Sequence, residues 1–172
     1  MTKGLKQTSS LITIGASIVE SAANTFTEAA VDLQLNPLDN EVFVVQSINL
    51  DLTPPDYDGS QDTAVFGSLS TTSRTSIGTL ADSNTMATAR DDIRVDVVGG
   101  NPFGVAFSRM SGETPATVLD YLGIIATNDF FIQVEGLNNQ VAKSVQCKVY
   151  GYRARADAAI YAALVQSELL SA

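Results

Sequence analysis

The chain has 172 residues, enough for one domain that buries most of its apolar surface without disulfides or metals. It contains no His and no Trp, its net charge is −9, and only 17% of its residues are charged, against about 25% in typical soluble domains. The missing imidazoles remove His-based triads, imidazole general bases and most zinc sites, and the acidic balance argues against a nucleic-acid binder, whose phosphate contacts need clustered Lys and Arg.

Residues 1–24 read as an N-terminal arm, polar in MTKGLK and then apolar in LITIGASIV. The start loosely imitates a secretory leader, but its apolar run is short and broken by Thr13, Gly15 and Ser17. No segment approaches the ~20 apolar residues needed to span a membrane as a helix. The arm is expected to reach another subunit, adding a strand there through Leu11, Ile12 and Ile14.

From residue 25 the pattern changes to period two, the signal of half-buried strands. In TFTEAAVDLQL, Val31, Leu33 and Leu35 share one face. NPLDN is turn chemistry. EVFVVQSINLDLT places Val42, Val44, Ile48, Leu50 and Leu52 together. Its opposite face begins apolar at Phe43 and Val45 and turns polar at Ser47, so one end of this strand is expected to be covered on both sides. PPDYDGSQD is a loop, and TAVFGSLS and RTSIGTL read as short strands. ADSNTMATARD has no clear pattern. IRVDVV sends Ile93, Val95 and Val97 inward, GGNP turns, and FGVAFSR groups Phe103, Val105 and Phe107. TPATVLDYLG reads as a short helix or turn. DFFIQVEG and VQCKVYGYRAR form two long paired strands, with Val145, Cys147 and Val149 on one side. About eight strands at even spacing predict an all-β fold over residues 25–152, an antiparallel two-sheet β-sandwich or single jelly roll. Its core should hold Val44, Ile48, Leu50, Val95, Phe107, Phe131 or Ile132, and Val149.

Little in the sequence carries chemistry. Cys147 lacks a second cysteine and sits between apolar neighbours, so it reads as a buried thiol. Lys143, Lys148, Arg153 and Arg155 fall close together, and their spacing suits residues that alternate outward and pair with acids. Gly99 and Gly100 precede Asn-Pro and make a turn, with no phosphate-loop signature. In DYDGSQD, Asp56, Asp58 and Asp62 are hard oxygen donors of the kind calcium takes. The spacing does not fit an EF-hand, and Asp-Gly turns serve conformation alone. No catalytic metal, organic cofactor or small-molecule substrate is expected.

The chain ends in RARADAAIYAALVQSELLSA, a helix within residues 153–172. Asp157 stands near its start, where an acid suits the helix dipole. Ile160, Tyr161, Leu164, Val165 and Leu169 spread beyond one face, and Ala158, Ala159, Ala162 and Ala163 permit close approach of a partner backbone. A helix covering its own sandwich needs only one apolar stripe. These residues are therefore expected to anchor the helix across a subunit boundary, although cover for its own sheet remains the alternative.

The strand set, closed by FFIQVEG and VQCKVYGYRAR and flanked by an arm and a terminal helix, resembles the single jelly-roll capsid proteins of viruses. The resemblance implies a virion structural protein, a shell or appendage subunit that associates with itself and with other virion proteins. Many such proteins carry a polybasic arm, whereas this one has only Lys3 and Lys6. Another protein would then contact the genome, or a membrane would lie beneath the shell. The alternative is a carbohydrate- or receptor-binding sandwich of a tail fibre or cell surface, with Asp56, Tyr57 and Asp58 in its site.

Overall fold

The computed structural model describes residues 4–110 and 119–170. Its strands are β1 (Leu5–Gln7), β2 (Ile12–Val19), β3 (Thr27–Asp32), β4 (Glu41–Leu52), β5 (Thr63–Ser70), β6 (Thr85–Val98), β7 (Asn101–Met110), β8 (Gly123–Ile125), β9 (Asp129–Leu137) and β10 (Ser144–Ala156), followed by helix α1 (Ala158–Leu170). They form two antiparallel sheets. In one, β1 and β2 line the same side of β10, followed by β4 and β8; in the other the order is β3-β9-β5-β6-β7. Without β1 and β7, the orders are β2-β10-β4-β8 and β3-β9-β5-β6. Apart from the β5–β6 pair, strands consecutive in this eight-strand set thus alternate between facing sheets, as in a jelly roll.

The alternation in the sequence explains most of the core. Leu50, Val65, Leu69, Phe130, Ile132, Val134, Val145 and Val149 are buried between the sheets, with Leu33 and Leu35 at one margin. Cys147 is buried there too, and burial pushes its thiol pKa up.

β4 departs from simple alternation. Tyr150 of β10 lies opposite Ser47, but Gly151 lies opposite Val45, so Gln46 is an extra residue, a β-bulge. The bulge exchanges the two faces. After it Ile48, Leu50 and Leu52 point into the sandwich; before it Phe43 and Val45 do, while Val42 and Val44 turn to the outside. Val44 is buried as expected, but under α1 rather than between the sheets. The double cover expected at this end of the strand is present. Gly151 makes it possible, because a Cβ there would meet the Val44 carbonyl oxygen and would lie 2.6 Å from the Phe43 ring.

Several expectations are corrected at the β6–β7 end. RTSIGTL is not a strand but part of a loop that folds over the outer face of the second sheet, where the Gly78 N–H donates to Ser68 Oγ (2.9 Å). The unpatterned stretch before IRVDVV supplies the first half of β6. Val95 is only half-buried, and Val97 and Phe107 are exposed, because the hairpin runs past the sandwich it belongs to. Most of TPATVLDYLG lies outside the described residues; Leu119–Leu122 form neither helix nor strand.

Candidate assembly surface

β7 is an addition to the eight-stranded plan, at the edge of its sheet. Gly99 and Gly100 join it to β6 with φ of 63° and 83°, the left-handed pair that a tight two-residue hairpin turn requires. Val98 and Asn101 close that turn as a hydrogen-bonded pair. Counting from there, the odd-numbered residues of β7 direct their N–H and C=O groups to β6, and the even-numbered ones direct them away. Pro102 fits this parity, since its missing N–H falls on the outer side. Among the described residues no strand pairs with that outer side.

Every residue of β7 is exposed. Phe103, Val105 and Phe107 share one face and retain 43%, 46% and 47% of their surface, and Val97 and Val98 are exposed at the tip. Exposed sheet edges are normally protected by charge, bulges or a covering element. Here Arg109 is the only charged residue in NPFGVAFSRM.

The acidic loop braces this hairpin. Asp62 accepts from the Val95 N–H (2.8 Å) and from Arg94 Nη1 (2.7 Å), and Arg94 Nε also donates to Asp92 (2.9 Å). The Tyr57 ring packs against Gly104, where a Cβ would lie 2.8 Å from Cε2. Asp58 holds its own turn, accepting from the N–H and Oγ of Ser60 and from Gln61 Nε2. Asp56 faces elsewhere: its Oδ1 accepts from Lys143 Nζ at 2.6 Å and its Oδ2 from the N–H groups of Gln140 and Val141. Asp56, Asp58 and Asp62 therefore serve different partners and are not gathered around one point, as a calcium loop of these hard oxygen donors would gather them. Among the described residues no three His, Cys, Asp or Glu side chains gather to hold a metal.

Lys143, expected to point outward, is only 2% exposed; its ammonium also donates to the Pro54 carbonyl (3.0 Å). Hydrogen bonding from that ammonium is the largest cause holding the Asp56 carboxyl below its ordinary pKa. Arg153 and Arg155 pair with Glu41 and Asp39, as the alternating pattern implied.

The other two surfaces singled out by the sequence are occupied by the chain itself. β2 pairs with β10 from Ile12 to Val19, and Ile12 and Ile14 pack against the inner core, while Leu11 stays exposed. On α1, Ile160, Tyr161, Leu164 and Val165 lie on Val42, Val44, Ala154 and Ala156, the outer face of the chain's own first sheet. Four of the five residues expected to anchor the helix to another subunit are thus used internally; Leu169 and Leu170 are exposed. Apart from these two leucines, the remaining apolar breadth of the helix is alanine, which favours helix in water as well as at an interface.

Asp157 caps α1, its Oδ1 accepting from the Ile160 N–H (2.9 Å). Glu168 fixes the far end. It is 7% exposed, and its carboxylate accepts from the N–H groups of Ala126 (2.8 Å) and Thr127 (2.9 Å). A cleft of about 530 Å³ crosses the outer face of the second sheet, floored by Phe66 and flanked by Ile77, Leu80, Arg90 and Met110. Arg90 stacks over Phe66 at 4.8 Å.

The sequence led to the wrong side of β7. Its clean apolar parity reads as a core strand, yet the opposite parity, Gly104, Ala106 and Ser108, carries almost no polarity either. A strand with no marked polar face, attached by a Gly-Gly turn, was the available sign of an edge. No family model matches the chain, no curated protein matches it, and no solved structure matches it.

Proposed function

We propose that the chain is a structural subunit that acts by self-assembly, of the kind that forms a virion shell or appendage, with itself and other virion proteins as partners. The observation that carries this reading is the β7 edge, ten exposed residues of which only one is charged, with an outward row of backbone groups that no strand pairs among the described residues. Such an edge on a solitary protein invites uncontrolled pairing, so its persistence is best explained by a regular partner. The jelly-roll order of the strands supports the reading, as this architecture serves viral shells. The scarcity of basic side chains supports genome contact by another component, or a membrane between shell and genome.

The runner-up, a receptor- or carbohydrate-binding module, draws on the same architecture, which lectins share. It placed its site at Asp56, Tyr57 and Asp58, but their carboxylates and ring are engaged within the chain. Size-exclusion chromatography with light scattering tests the proposal. The subunit should run as an oligomer whose mass grows with concentration; a monomer at every concentration would favour the binding module.

A further inference from the structure

Resting on that reading, we infer that the β7 edge takes a second copy of this chain, antiparallel and two-fold symmetric about Val105, joining the two five-stranded sheets into one of ten strands. The backbone parity of the hairpin leaves the N–H groups of Gly104, Ala106 and Ser108 directed outward, together with the carbonyls of those residues and that of Pro102, which also accepts from the Tyr57 hydroxyl (3.5 Å). An extended strand satisfies this row, and in the two-fold pairing only the Ser108 carbonyl, which faces Pro102, is left without a backbone donor.

The side chains say which strand. A two-fold pairing brings residue i of one copy opposite residue 210 − i of the other. Phe103 then meets Phe107, and Val105 meets itself, which makes three cross-strand apolar pairs on one face. Gly104 and Ala106 become hydrogen-bonded pairs on the other face, small enough for close approach. Arg109 faces the uncharged Asn101, so the register opposes no like charges. A strand from an unrelated partner would show no reason for this palindromic arrangement, Phe-x-Val-x-Phe, around a single valine. The neighbouring strand agrees: Arg94, the residue of β6 opposite Val105, is already neutralised by Asp62 and Asp92 and adds no repulsion at the axis.

Across the two-fold, Val105 would occupy a non-hydrogen-bonded site, where facing Cα atoms approach to about 4.5 Å, within disulfide range. The test is the full chain carrying Val105→Cys under mild oxidation in dilute solution, beside Ser60→Cys on an exposed loop; the native Cys147 is buried and does not compete. The expected result is a rapid covalent dimer from Val105→Cys alone, unchanged in circular dichroism. A second variant, Ala106→Pro, removes an outward N–H without touching the bonds to β6. It should raise the dimer dissociation constant at least about tenfold while leaving the melting temperature of the monomer near wild type. If wild type oligomerises in light scattering but Val105→Cys forms no more covalent dimer than Ser60→Cys, the pairing is overturned and the assembly reading survives. If wild type is monomeric throughout, both fall. Binding of Ala106→Pro as tight as wild type would also overturn the pairing.

Discussion

Glu168 is a carboxylate placed where an apolar helix would be expected to continue its stripe. It closes the end of α1 by accepting two backbone N–H groups at the start of the β8–β9 connection. Removing it with Glu168→Ala leaves the buried Ala126 N–H and the half-buried Thr127 N–H without this acceptor, at a cost of about 1–3 kcal/mol. Thermal unfolding of the dilute protein should show the loss, and Glu168→Gln should recover part of it. Nothing in ALVQSELLSA marks this residue as different from an ordinary exposed helix acid. By contrast Asp157 was legible, since an acid just before an apolar helical run has one usual job.

The Asp56–Lys143 pair makes stability depend on acid. The folded Asp56 carboxyl titrates below its ordinary 3.8, chiefly because the Lys143 ammonium donates to it. A depressed pKa contributes stability above the unfolded value, and that contribution is lost as pH falls through the lower folded value. Melting temperature should therefore hold steady down to about pH 5 and drop below pH 3.8, with Asp58, Asp62 and Asp82, also lowered, adding smaller exposed contributions. Asp56→Asn should flatten the drop and lower stability at neutral pH, because it leaves the Lys143 charge buried without its counter-ion. An acid limb identical in wild type and Asp56→Asn would contradict the assignment.

At the scale of elements, β4 shows what a pattern can and cannot deliver. Its run of four consecutive apolar residues, Val42 to Val45, announced a segment covered on both sides, and α1 provides the second cover. The bulge at Gln46 had no such signature, since an inserted residue changes parity without changing composition. Gly151 is the point at which the bulge is most sensitive. Gly151→Ala would press a methyl group on the Val44 carbonyl and the Phe43 ring, and overpacking of this kind costs about 1–3 kcal/mol. A variant as stable as wild type would show that the local register can relax.

The same reasoning relocates the helix. Leu164 now belongs to the cover of Val42 and Val44, so Leu164→Ala should destabilise the dissociated monomer by about 2 kcal/mol, at the low end for a leucine that is not fully buried. Loss of assembly without any loss of monomer stability would return the helix to the interface. Breadth of apolar surface was an ambiguous sign, because alanine lengthens a helix's apolar face without requiring a partner.

At the scale of the molecule, the fold class was the most legible feature: regular strands, turns at even spacing and one terminal helix led to the two-sheet sandwich. The distribution of its surfaces was not. Both termini looked like extensions awaiting a neighbour, yet β1 and β2 join the chain's own first sheet and α1 covers that sheet. The open positions fall instead on an internal hairpin, β6–β7, whose apolar residues share the parity of core residues and are set apart in sequence only by a Gly-Gly turn and the lack of a polar face opposite. Only the placement of the strand at an edge reveals their exposure.

Sedimentation velocity of wild type beside Val105→Lys, each over a range of concentrations, tests most directly whether this edge is where the chain assembles. A lysine in the middle of an edge strand opposes strand pairing while leaving the sandwich beneath it untouched. The account expects wild type to shift to larger species as concentration rises, while Val105→Lys sediments as a folded monomer with unchanged circular dichroism. Wild type that remains monomeric, or a variant that assembles as well as wild type, would contradict it.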